Sequence, residues 1–246
     1  MKKLVISVLS SKGGVGKTFI SAITASSLNT LGYKIKFYDN DSESPLFSTY
    51  QSLRAEHIQL FKVDDEGHIY AESLNIDAQH TIANELEHGD NNIIVVDNGS
   101  PSFQPFLSYF QVNVLDAFNS IDVEFIVVIP ISKDKITHNA PLEVLASYGK
   151  KVKYILVENE HFGEFDYDTS IFDIKQVQYA VIKMQRYTPS QLADINKAQE
   201  LNLLLSEAIK SNAFNLVSKS RLTIAQELFQ NLFLKILNDF GVRHAR

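Results

Sequence analysis

The chain has 246 residues, 45% hydrophobic and 21% charged, which suits one α/β domain with a sizeable core and excludes disordered and fibrous classes. It contains no cysteine, so a disulfide framework, an iron–sulfur cluster or a thiolate zinc site within the chain is excluded. A net charge of −6 argues against a strongly basic nucleic-acid-binding domain while allowing a local basic patch, and no apolar run approaches the ~18 residues of a membrane span.

Met1-Lys2-Lys3 precedes an apolar run at 4–9 that imitates a short signal peptide. Ser10, Ser11, Lys12 and Gly13 follow where more apolar residues and a small-residue cleavage site would be needed, so the run reads as the first strand of a cytoplasmic protein. Further strand patterns lie at 36–38, 58–63, 93–96, 125–129, 153–157 and 177–183, mostly as short apolar bursts typical of strands buried on both faces. Helical patterns occupy 17–31, 45–55, 77–88, 106–119, 141–148 and 190–195, and a helix-only part runs over about 200–240. This alternation predicts a doubly wound, mostly parallel sheet flanked by helices, with C-terminal helices, as one domain over 1–246. The polar segment 158–173, with Glu164, Asp166 and Asp168, reads as a solvated loop.

Ser10-Ser11-Lys12-Gly13-Gly14-Val15-Gly16-Lys17-Thr18 follows the first strand and opens the first helix, the context a phosphate loop requires. Its glycines allow positive φ and close backbone approach. Successive N–H groups then point into one concavity at a helix N-terminus carrying roughly +0.5 charge. Lys17 supplies a mobile cation to the β- and γ-phosphates of ATP, and Thr18 a hydroxyl to Mg2+, a hard cation that prefers oxygen. The expected nucleotide contacts are Lys12, Gly13, Gly14, Val15, Gly16, Lys17, Thr18 and Phe19. The fourth strand pattern ends Val95-Val96-Asp97, which places Asp97 as a Walker B carboxylate beside the metal. Asn98-Gly99-Ser100-Pro101 would then be a switch segment.

The usual phosphate loop begins with glycine where this chain has Ser11, and Lys12 is added. In this the loop resembles the deviant phosphate loop of the partition-ATPase class, which includes ParA-type and MinD-type proteins. The resemblance implies that Lys12 reaches across an ATP-dependent homodimer to the partner's nucleotide, where a second cation would stabilise the developing charge. Asp39-Asn40-Asp41 resembles that class's Asp-x-Asp motif, although Pro45 comes late and the glutamine is absent. It implies that Asp39 orients or activates the attacking water, making Lys12, Lys17 and Asp39 the catalytic set. In the wider class an asparagine just after the strand here ending at Val157 binds adenine, which points to Asn159. The stretch from Asp97 to Tyr109, with Asn98, Gly99, Ser102 and Phe103, resembles conjugative-plasmid ATPases of the TraL and StbB type, as does the segment from Leu46 to Leu53. That likeness extends over about residues 3–130. It implies a role in plasmid stability, segregation or transfer beside a small DNA-binding partner.

Two other readings make demands of their own on the sequence. A membrane-positioning ATPase of the MinD kind would need a basic amphipathic C-terminal helix. Leu228, Phe229, Leu232, Phe233, Ile236, Leu237 and Phe240 recur at helical spacing, but only Lys235, Arg243 and Arg246 flank them, so a core helix is expected. An ATP-dependent ligase would need an acceptor site, and nothing marks one. The histidines at 57, 68, 80, 88, 138, 161 and 244 show no metal-ligand spacing. Lys210, Lys219 and Arg221 offer at most a nonspecific contact to DNA.

Overall fold

The computed structural model describes residues 3–30, 32–63, 66, 69–110 and 112–242; His68, Arg243, His244 and Arg246 lie outside them. Seven strands form one parallel sheet: β1 (Lys3–Val8), β2 (Ile35–Asn40), β3 (Glu56–His57), β6 (Ile93–Asn98), β7 (Val123–Ile131), β8 (Lys153–Asn159) and β9 (Tyr179–Met184). Their order is β3-β2-β6-β1-β7-β8-β9, so β1 is central, paired with β6 on one side and β7 on the other. β4 (Phe61–Val63) and β5 (Ile69–Leu74) form a separate antiparallel pair.

Side-chain alternation explains why helices cover both faces. In β1, Leu4, Ile6 and Val8 enter one core and Val5 the other, and Ile93 and Val95 in β6 oppose Ile94 and Val96 in the same way. Strands apolar on both sides need a layer on each. One layer comprises α1 (Lys17–Asn29), α7 (Pro189–Glu200), α8 (Leu205–Ala208) and α9 (Leu216–Asp239). The other comprises α2 (Ile76–His88), α3 (Phe103–Tyr109), α4 (Val112–Ser120), α5 (Asn139–Tyr148) and α6 (Ser170–Lys175). α7 starts on a capping box between Thr188 and Gln191 with Pro189 as its first residue, a strong local start signal. α9 buries Phe229, Phe233, Ile236 and Leu237, as a core helix should, while Leu228 and Leu232 stay exposed. No helix among the described residues is long and apolar enough to cross a membrane.

Four stretches depart from the pattern-based reading. The run at 58–63 is not one strand: β3 pairs with Tyr38 and Asp39 of β2, and the chain then leaves the sheet to form β4. The expected helix at 45–55 is a single 3-10 turn, Phe47–Thr49, because Tyr50 is extended (ψ 95) and Arg54 has φ 48, neither compatible with a helix. The helical pattern at 106–119 breaks at Phe110 (ψ 49), whose ring packs 4.5 Å from Phe106 and 5.5 Å from Phe125. The polar segment 158–173 also supplies core: Phe172 of α6 is fully buried, 5.4 Å from Tyr154 and 5.2 Å from Tyr179.

Candidate nucleotide site

The carboxyl ends of β1, β2, β6 and β8 meet around the loop that joins β1 to α1, the edge where open α/β sheets bind ligands. Two glycines shape that loop. Gly14 has φ 73 and Gly16 φ 93, both left-handed, and a Cβ on Gly16 would stand 3.0 Å from the Asn159 amide nitrogen. Gly16 then serves as the N-cap of α1, whose first N–H groups face the loop.

Lys17 is 8% exposed. Its ammonium donates to the carbonyl of Lys12 at 3.0 Å and to Ser100 Oγ at 2.7 Å. Burial lowers its pKa, while Asp97, Asp41 and Glu43 pull the other way. Asp97 is 1% exposed, at the end of β6. Its two oxygens accept from Thr18 Oγ1 at 2.8 Å and Ser21 Oγ at 2.7 Å. Burial pushes this carboxyl up to about 7; the Ser21 and Thr18 hydrogen bonds oppose the shift, Asp39 adds to it and Lys17 opposes it. A buried carboxylate touching the threonine that opens the helix is an oxygen set fitted to Mg2+.

Asp39 stands beside Asp97 in strand register and is fully buried. Its oxygens accept from Ser48 N at 2.7 Å and Asp41 N at 3.2 Å, so it tethers the segment after β2; burial raises its pKa despite these bonds. Next in register, Asn40 donates to Asn98 at 2.9 Å, and Asn98 donates to Ser7 Oγ at 2.9 Å and the Val8 carbonyl at 3.1 Å. This buried amide ladder locks β2, β6 and β1 together directly beneath the site.

Asn159, 4% exposed, donates to the Val15 carbonyl at 3.0 Å and accepts from His161 N at 3.1 Å, and so holds the loop from behind. It also lines a cavity of about 220 Å³ with Gly14, Gly16, Phe19, Phe162, Met184, Tyr187, Leu192, Asn196 and Gln199. Phe19 and Tyr187 meet edge to face there, 6.1 Å apart. Lys12 turns the other way and forms an ion pair with Asp134, just past β7. That pairing holds the Asp134 carboxyl below its usual range. The two line a second cavity of about 360 Å³ with Gly13, Ser132, Lys133 and Phe162.

The expected loop residues, Asp39, Asp97 and Asn159 are thus brought to one edge. Pattern reasoning missed Ser21, although it stands three residues after Thr18 on the same helix face. It also missed Ser48, Asp134 and the α7 residues, which only the tertiary fold delivers.

Residues 6–213 match the family model described as the CobQ/CobB/MinD/ParA nucleotide binding domain. The chain belongs to this family. Among relatives of known description, it is 32% identical over 110 residues to "Protein TraL" of Escherichia coli, covering 45% of this chain and 42% of that one. It is 35% identical over 65 residues to the "Iron-sulfur cluster carrier protein" of Clostridium perfringens, covering 26% of this chain and 23% of that protein. The chain therefore spans less than half the length of these relatives. Among solved structures, a ParA family ATPase from Chlorobium tepidum matches with a TM-score of 0.51 at 14% identity, covering 91% of this chain and 98% of that one. The MinC:MinD complex of Aquifex aeolicus matches at 0.50 and 17% identity, covering 91% and 94%. At such identities these structures speak for the ParA/MinD fold alone, and for this family's parallel sheet with its C-terminal helix.

Proposed function

We propose that this chain is a magnesium-dependent ATPase whose ATP state is a homodimer, acting in plasmid stability, segregation or conjugative transfer. The observation that carries the reading is the convergence of Lys17, Thr18 and Asp97 at a glycine loop that also bears Lys12. In this reading the loop N–H groups and Lys17 hold the phosphates, and Thr18 with Asp97 holds the metal. Magnesium, when bound, neutralises charge on the phosphate oxygens. Asp39, which also fixes the 41–48 segment, orients or activates the attacking water. Lys12 leaves Asp134 and completes the partner's site. Asn159 uses one amide N–H and one lone pair on the protein, which leaves one of each for adenine.

The likeness to TraL supports the plasmid setting, and a small plasmid-encoded DNA-binding protein is the partner that setting implies. Arg221 is engaged with Asp194 at 2.6 Å, which leaves it a poorer candidate for direct DNA contact. Gel filtration with light scattering, in ADP and in a non-hydrolysable ATP analogue with magnesium, tests the switch. A dimer in the analogue and a monomer in ADP is expected; a monomer in both overturns it.

A further inference from the structure

We propose that the free edge of β9 is a docking site for an extended segment of another protein, one that alternates apolar and basic residues and adds to the sheet as a further strand.

β9 ends the sheet and is paired on one side only. Tyr154 N donates to the Gln178 carbonyl at 2.9 Å, so by alternation Ala180, Ile182 and Met184 turn their backbone groups to β8. Those of Tyr179, Val181 and Lys183 point away from the sheet and find no partner among the described residues. Sheets blunt such an edge with a proline, a bulge, a lysine or a very short strand. β3, at the opposite edge, has two residues. β9 has six, with no proline and an unbroken register. Its lysine, Lys183, is drawn aside to Asp166 at 2.6 Å and Glu158 at 3.5 Å.

The two flanks of the edge differ, and together they set what an added strand must carry. On the α9 side, Ile182, Met184, Tyr187, Leu228, Phe229 and Leu232 line a groove of about 100 Å³, with Leu228 and Leu232 exposed to water. Apolar side chains on one face of the added strand would cover it. On the α6 side, Asp166 and Asp173 reach the side chains of Lys183 and Tyr179, and residues 158–175 carry six carboxylates against one lysine. Every second side chain of the added strand faces that field, which favours lysine or arginine there. A second copy does not suit the edge. Antiparallel pairing of β9 with itself keeps like face beside like face and would bring two acidic flanks together.

Fluorescence anisotropy of the nucleotide-free chain with a labelled peptide alternating valine and lysine tests this. Two control peptides carry glutamate in place of lysine, or a backbone N-methylated throughout. Val181→Pro removes an outward N–H without touching the ladder to β8, and Leu228→Ser strips the groove of an exposed apolar side chain. The lysine peptide should bind saturably, roughly tenfold more weakly to Val181→Pro and about fivefold more weakly to Leu228→Ser. Neither control peptide should bind. No binding of the lysine peptide overturns the inference. Equal binding of the N-methylated peptide would show attraction by charge without strand addition, and equal binding of the glutamate peptide would show that the acidic flank selects nothing; each overturns it as well. These peptide arms are read on wild type, so they stand even where Val181→Pro fails to fold. Gel filtration that finds a nucleotide-free dimer abolished by Val181→Pro would give the edge to a second copy, and would also overturn the inference.

Discussion

Burying a carboxylate at the end of a central strand strips most of its hydration, and at Asp97 two hydroxyl donors replace only part of it. Its carboxyl, pushed up to about 7, then makes stability depend on pH with a definite sign. Between the unfolded value near 3.9 and the folded value, the folded chain binds more protons than the unfolded one. This contribution is therefore lost as pH rises through that window, and the penalty is complete above it. For the chain free of metal and nucleotide, wild type should gain about 1 kcal/mol from this group between pH 8 and pH 6. Asp97→Asn keeps the size and cannot ionise, so the difference between the two in urea unfolding isolates the group. A difference that stays constant from pH 8 to pH 6 would show that Asp97 is already ionised at low cost. The same burial suits the proposed magnesium, since a nearby positive charge would restore what the lost water supplied.

At the scale of elements, the ends of β2 and β6 and the turn leading to α3 act as one unit through the Asn40–Asn98 ladder. Gly99 sits at its tightest point: a Cβ there would fall 2.6 Å from Asp41 Oδ1, 2.8 Å from its Cγ and 3.1 Å from its Cα. A flexible side-chain tip could yield, but the Asp41 backbone is bound to the same layer, so Gly99→Ala should destabilise the fold by about 1–3 kcal/mol in chemical denaturation. An unchanged midpoint would mean that the 41–48 segment moves freely. Such a contact cannot be read from the sequence, where Asp41 and Gly99 are far apart. The features that were legible are local ones. The strand at 93–96 declares itself by β-branched residues, the phosphate loop by glycine spacing, and the carboxylate at 97 by ending an apolar run. The run at 58–63 misled because apolar residues look the same whether a strand stays in the sheet or leaves it. The segment 45–55 misled because helical periodicity survives in a turn whose backbone is not helical. Asp134 and the α7 side of the Asn159 cavity carry no local mark, since the partners that give them meaning come from β1 and β8.

For the whole molecule, the contact that the proposed dimer would have to exchange is the ion pair of Lys12 with Asp134. In the proposed dimer, two copies each carrying −6 would repel at long range, so their approach would depend on local cations, and in the single chain Lys12 is paired with Asp134. The side chains of that pair are 38% and 40% exposed, which makes it a screened, weak restraint rather than a fixed strut. Asp134 also has a structural duty, its Oδ1 accepting from Ile136 N at 3.0 Å. Asp134→Asn preserves that acceptor and removes only the charge that holds Lys12. The freed lysine should let the dimer form with magnesium and a non-hydrolysable ATP analogue at lower protein concentration, by up to roughly fivefold, the scale of one exposed ion pair. A dilution series followed by light scattering measures this directly. Lys12→Ala, measured alongside, should bind the analogue yet lose turnover, because the second cation never reaches the partner's phosphates. If Asp134→Asn instead requires more protein to dimerise, the carboxylate belongs to the dimer contact, and the resting pair with Lys12 is no restraint on assembly.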